Sequence, residues 1–123
     1  MSAGAVDFKK SVFVNCPFDK DYYPLMRALL FTILYIGYTP KITLASLDSG
    51  EARIHKILRL IRESKYGVHD LSRLKAEKAG EYFRLNIPLE LGMDFGCKAF
   101  KGGKWKSKKF LILESKPYRY KAA

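Results

Sequence analysis

The 123-residue chain predicts a single α/β domain built on an open parallel sheet. Three observations support this. Short apolar runs of strand length recur at residues 11–16, 66–71 and 109–114. Long segments between them carry apolar residues three or four apart, the spacing of a helix face. Turn and cap residues (Pro, Gly and Asp) separate the two kinds of segment. Strands that alternate with helices in this way join by right-handed crossovers and lie parallel.

Residues 1–10 read as a flexible N-terminal arm, followed by one domain over residues 11–123. Residues 11–16, Ser-Val-Phe-Val-Asn-Cys, have the continuous apolar character of a strand buried on both faces. Asp19 or Asp21 then caps a helix with Pro24 in its first turn. Leu25, Leu29, Ile33 and Ile36 mark one face of that helix, and Gly37 ends it. It is apolar nearly all round, which predicts deep packing. Residues 40–46 form a second strand. Asp48 and Glu51 match a capping box for a helix that runs to about residue 64. Ile54, Ile57, Leu58 and Ile61 face inward there, with Arg53, Lys56, Arg59 and Arg62 on the other side.

Residues 66–71 form the third strand, and the polar stretch 75–84 is a mobile loop or a short helix. A third helix runs from Pro88 to about residue 100, where Gly102 and Gly103 break it. Residues 109–114 supply the fourth strand. The expected architecture is a three-layer, flavodoxin-like open sheet of four to five strands in the order 2-1-3-4, with helices on both faces.

Composition narrows the function classes. Lys and Arg number 23 against 12 acids, a net charge of +11, which favours polyanionic partners such as nucleotides, nucleic acid or anionic lipid. The longest apolar run, residues 28–36, falls short of the roughly 20 residues that span a bilayer. No secretory signal is read at the N-terminus, and Cys16 and Cys97 have no metal-ligand spacing. A soluble protein of the reducing cytoplasm is expected. No Walker A, GxGxxG, HExxH or GxSxG sequence occurs, and neither a metal nor a bound cofactor is expected.

In an open parallel sheet, ligands collect at the carboxyl ends of the strands. Asn15 and Phe18 fall there after the first strand, and Asp48 and Ser49 after the second, with Arg53 close behind. Asp70, Ser72 and Arg73 follow the third strand, and the next helix brings Asn86 and Glu90. Glu90 has two readings. With Pro88 at the first helical position, it is a capping Glu that reaches back to an unpaired amide. Yet Ile87 as N-cap offers no acceptor to complete the box, and a carboxyl between Leu89 and Leu91 is partly desolvated and readied for catalysis. Asp70 either orients a ribose hydroxyl or caps a turn at Ser72.

Other features have plainer readings. Gly92 and Gly96 each cost about 1 kcal/mol relative to Ala, which a close helix packing would offset. Asp94 shares the Glu90 face or is a solvated charge. His69 reads as a packed histidine, and His55 as an exposed one. Six lysines around Trp105 and Phe100 resemble a nucleic-acid grip, but a solvated connector is the stronger reading.

Val12-Phe-Val-Asn at the first strand, Asp70-Leu-Ser after the third, and Asn86-Ile-Pro-Leu-Glu-Leu-Gly at the last helix resemble bacterial TIR-like domains and the related nucleoside 2-deoxyribosyltransferases. The likeness spans residues 11–115. It implies that Glu90 is the catalytic carboxylate acting on an N-glycosidic bond. Asp70 and Asn86 would border the sugar, and Asn15 and Phe18 would lie beneath the nucleotide. It further implies NAD as substrate, cleaved with release of nicotinamide or converted to a signal nucleotide, often in antiviral defence. Assembly with further copies or with another defence protein is also implied.

The resemblance departs at the C-terminus, where these families continue to a fifth strand and helix. Either the piece is truncated or the fourth strand is an exposed edge that pairs with another chain. Two alternatives stand beside the NAD enzyme: a non-catalytic nucleotide-sensing or assembly module, and a deoxyribosyltransferase. The last acts on uncharged nucleosides and has little use for a charge of +11.

Overall fold

The computed structural model describes residues 7–43, 52–72 and 86–115. Strands β1 (Ser11–Asn15), β2 (Thr39–Lys41), β3 (Tyr66–Asp70) and β4 (Lys109–Leu113) form one all-parallel sheet in the order β2-β1-β3-β4, the flavodoxin-like order expected. Val14 lies opposite Val68 and Asn15 opposite His69, while Asp70 pairs with Leu113. The tips of β1 and β3 therefore end side by side. Pro40 sits in β2, an edge strand, where its missing N–H costs no central ladder bond.

Helix α1 (Tyr23–Tyr35) covers one face of the sheet, and α2 (Arg53–Arg62) and α3 (Asn86–Phe100) cover the other. Val12, Val14 and Val68 meet Ile33, Cys16 and Tyr22 on the α1 side. Phe13 points the other way, onto Ile57, Leu60 and Ile61 of α2 and Met93 and Cys97 of α3. Burying a side chain like Phe13 stabilises by about 1.5–3 kcal/mol. Gly37 and Gly102 end α1 and α3 with positive φ, as their positions predict.

Several expectations need correction. Residues 8–10 are not a loose arm: they form a 3-10 turn capped by Asp7, whose Phe8 carbonyl accepts from the Lys65 amide. Helix α1 has no side-chain cap of its own, and Asp19 instead accepts from the Tyr22 amide at 3.0 Å. Nor is α1 deeply packed. Ile33 is its buried residue, while Leu25, Phe31, Leu34 and Tyr35 are exposed. Helix α3 starts at Asn86, two residues early, because Pro88 still falls in the first turn where no amide is needed. The capping box at Asp48 and Glu51 and the segment 75–84 lie outside the described residues.

A buried polar network ties the second layer together. Asp94 of α3 accepts from His69 Nε2 of β3 at 2.8 Å, and the Lys108 ammonium lies 3.0 Å from its other oxygen. Lys108 also donates to the carbonyls of Ile61, at 2.9 Å, and Ser64, so it ties the C-terminal end of α2 to the start of β4. Asn15 of β1 completes the chain: its amide nitrogen reaches His69 Nδ1 at 2.9 Å and the Ile87 carbonyl at 2.8 Å. Since that amide donates to the carbonyl, Nδ1 is the acceptor and His69 is the neutral, Nε2-protonated tautomer. His69 is packed, as its sequence position suggests, but Asp94 is no solvated charge.

Gly67 makes room for this network. A Cβ there would overlap the Asp94 carboxylate and stand 2.8 Å from His69 Nε2. Among the described residues the close approach expected at Gly92 and Gly96 does not occur: none lies within 4 Å of a Cβ at Gly92, and at Gly96 Phe100 does, at 3.9 Å.

Asp94→Ala strands the Lys108 ammonium without its counter-ion. It is expected to destabilise the fold by about 3–5 kcal/mol in urea denaturation. Gly67→Ala should cost a comparable amount, whereas Gly92→Ala should be neutral or stabilising by up to about 1 kcal/mol.

Candidate active site

Two carboxylates act on Cys16 at the carboxyl end of β1, one from each side of the sheet. Asp70 ends β3 on the α1 side, where Tyr22 donates its hydroxyl to Oδ2. The other oxygen accepts from the Ser72 amide at 2.8 Å, the turn-capping geometry of an Asx turn. Glu90 belongs to α3 on the far side and is only 4 % exposed. Between them stands Cys16, the residue after β1. Its thiol is pushed up to about 12 by burial first, then by the charges of Asp70 and Glu90. At neutral pH Cys16 is therefore a protonated thiol and no nucleophile.

This is the point where the chain's crossovers part. The connection from β1 to β2 carries α1 over one face, and those from β2 to β3 and from β3 to β4 carry α2 and α3 over the other. A crevice at such a switch point is where open α/β sheets bind ligands.

Glu90 does not cap the helix. Because α3 begins at Asn86, Glu90 lies one turn inside it, and its Oε2 accepts from the Asn86 side chain at 3.2 Å. Burial raises its pKa above the usual carboxylate range. The hydrogen bond from Asn86 offsets part of that, followed by the charge of Arg53. A carboxyl perturbed by desolvation, with a cation and an amide near it, is a candidate functional group.

The remaining expected residues divide. Arg53 is exposed at the first position of α2 and acts on Glu90 through its charge. Asn86 is exposed and in contact with Glu90. Ser72 is half-buried beside Asp70. Phe18 packs half-buried against the core cluster containing Cys16 and Tyr22. Asn15 is a correction. It is the last residue of β1 rather than part of a loop, and its amide group is fully buried and occupied by His69 and Ile87, so it positions α3. Asp48, Ser49 and Arg73 lie outside the described residues.

Sequence patterns did not point to Tyr22 or Cys16. Tyr22 lies just ahead of α1 without a motif around it, and Cys16 looks like the apolar end of a strand. Trp105, expected among solvated lysines, donates its indole N–H to the Arg62 carbonyl at 2.9 Å. The Lys101 and Lys104 ammoniums lie 4.4 and 5.0 Å from its ring. Among the described residues no group of three or more His, Cys, Asp or Glu side chains gathers to hold a metal, and no helix is long and apolar enough to cross a membrane. Both described cysteines are free thiols.

The raised pKa of Glu90 has a stability consequence. Near its ordinary value of 4.5 and below, folded and unfolded states both hold the proton and Glu90 is neutral in the balance. As pH rises from there through the raised folded-state pKa, the folded state must ionise a buried group, and stability falls. Glu90→Gln should therefore melt at a higher temperature than wild type at neutral pH. The two should converge below about pH 4.5 in a pH series of thermal melts.

No protein-family model matches this chain, and a search of curated proteins gives no match.

Proposed function

We propose that this chain is a TIR-like enzyme that cleaves the N-glycosidic bond of NAD and releases nicotinamide. The observation that carries it is the buried, raised-pKa carboxyl of Glu90 beside Cys16 at the tip of β1, where the charge of Asp70 from the tip of β3 also acts. The sheet order and the short motifs around Asp70 and Asn86 are consistent with that assignment.

The chemistry needs one acid. In NAD the ribose carbon is bonded to a cationic pyridinium nitrogen. When that bond breaks, its electron pair goes to the nitrogen and nicotinamide departs neutral, so no proton donor is required. Positive charge develops on the ribose ring instead. Glu90, as a carboxylate, stabilises this oxocarbenium-like centre or attacks it, and water or a second nucleotide hydroxyl completes the transfer. A bound pyridinium cation favours ionisation of Glu90 and so counteracts the burial that raises its pKa. Asp70, fixed by Tyr22 and the Ser72 amide, borders the ribose with Asn86. The surplus of eleven positive charges, Arg53 among them, holds the pyrophosphate. The setting is a defence system in the cytoplasm, with copies of the chain acting as an assembly.

One observation favours a second reading. Glu90 is almost fully covered and tied to Asn86, and it lines neither the groove between α1 and β4 nor that between α2 and α3. A carboxyl held this way also suits a nucleotide-sensing module that binds without turnover.

Incubation of the purified chain with NAD separates the two. Wild type is expected to release nicotinamide, and Glu90→Gln to lose about 10²-fold or more in rate while retaining its circular dichroism spectrum and NAD binding. Binding without release at any protein concentration would support the sensor. Base exchange between deoxynucleosides would instead support a deoxyribosyltransferase.

A further inference from the structure

The two edges of the sheet differ in charge. Because every strand is parallel, the residues that precede β1, β3 and β4 stand side by side at the amino edge, away from Asp70 and Glu90. Backbone bonds join them. The Lys65 amide donates to the Phe8 carbonyl at 3.0 Å, and the Lys109 amide to the Lys65 carbonyl at 3.0 Å. Lys9 and Lys10 come from the turn ahead of β1, and Lys65 immediately precedes β3. Lys104 and Lys106 lie in the 3-10 turn Gly103–Ser107, Lys109 opens β4, and Lys101 follows the end of α3. All but the half-buried Lys65 are exposed. Segments far apart in the chain thus form one basic line.

This charge exceeds what the fold uses. Among the described residues of these segments the acids are Asp7, which caps the Lys9 amide, and Glu63, which pairs with Arg59 at 3.6 Å. Helices α1, α2 and α3 also end at this edge, and each C-terminus presents about half a negative charge. The seven lysines outweigh two acids and three such helix ends.

Aromatic rings are set among the lysines. Phe8 and Trp105 meet edge to face at 6.4 Å, with the Lys104 ammonium 4.8 Å from the first ring and 5.0 Å from the second. Lys101 stands 4.4 Å from Trp105, whose indole N–H is held by the Arg62 carbonyl. Farther along, Tyr38 and Tyr66 meet at 5.5 Å, with Lys10 4.6 Å from Tyr38 and Lys65 5.4 Å from Tyr66. Neighbouring strands lie about 4.8 Å apart, so the edge from β2 to β4 runs about 14 Å, the length of a few nucleotides.

We infer that this amino edge binds single-stranded nucleic acid. The lysines hold successive phosphates, and bases stack on the rings in place of the ammoniums that now cover them. The alternation of ring and ammonium decides the class of partner. An acidic protein answers the lysines but offers the rings no flat faces. A bilayer takes rings that project, whereas all four here are half-buried. A duplex keeps its base faces inside the stack.

The site does not depend on the NAD reading: a chain that binds nucleic acid without cleaving NAD leaves it standing. Trp105 is the single tryptophan, so its fluorescence reports on this edge. Titration with an oligouridylate about 12 nucleotides long should quench it. The logarithm of the affinity should fall against that of salt concentration with a slope of about −0.7 per phosphate held. Lys101→Glu combined with Lys104→Glu should raise Kd at least about tenfold, and Lys65→Ala should make the slope about 0.7 shallower, with circular dichroism spectra unchanged. Lys20→Ala, which removes an exposed charge beyond the opposite end of β1, should alter neither. Absence of quenching at low salt would overturn the inference, as would quenching that survives the double reversal or is weakened as much by Lys20→Ala. Equal affinity for polyglutamate would reduce the edge to bare charge, and binding to vesicles of anionic lipid alone would assign it to a membrane surface. Either result overturns the inference.

Discussion

The buried Asp94 carboxylate is the interaction on which the arrangement of this protein depends. It sits on α3 but is satisfied by His69 on β3 and by Lys108 ahead of β4, and Lys108 in turn holds the last carbonyls of α2. Through His69 the network continues to Asn15 on β1, which returns to α3 at the Ile87 carbonyl. Helix α3 is therefore pinned to the sheet at two places, one on each side of Glu90. A buried ion pair contributes little net stability, because desolvating its charges offsets their attraction. What it specifies is position, since each group has few arrangements that leave no charge or donor unpaired. Gly67 is the allowance in β3 that lets the carboxylate in.

The same pinning sets the character of the site. Glu90 is held where water is scarce, which raises its pKa and costs stability whenever it ionises. Asn86 and Arg53 return part of that cost without removing it. A carboxyl serving stability alone would be better placed in solvent, and burial beside the strand tips makes Glu90 a candidate functional group. On the α1 side of the sheet Asp70 has both oxygens engaged, by Tyr22 and by the Ser72 amide, and its orientation is fixed before any ligand arrives.

Much of the fold was legible in the sequence because it follows from local pattern. Apolar runs of strand length alternate with helical spacings, and topology then brings Asp70 and Glu90 to one edge whatever the details of packing. Pro88 fits anywhere in a first turn, so the sequence leaves the start of α3 open by two residues and lets Glu90 read as a cap, whereas the helix begins at Asn86. The Asp94 network was illegible. Asp94 lies four residues beyond Glu90, where a solvated charge is ordinary, and Lys108 is one lysine among six in its segment. Nothing local distinguishes it from its neighbours, because its burial is decided by Asp94 and Ser64, far away in the chain. Helix α1 illustrates a different gap: its composition shows that it must be covered all round, but not what supplies the cover.

The protonation of His69 gives the most direct measurement of the central claim, that a buried relay from Lys108 to Asn15 fixes α3 and with it Glu90. Nitrogen-15 NMR of the imidazole should show a proton on Nε2 and a bare Nδ1, and Asp94→Asn should disturb both ring signals. A His69 that carries its proton on Nδ1 would contradict the relay and the placement of Glu90 derived from it.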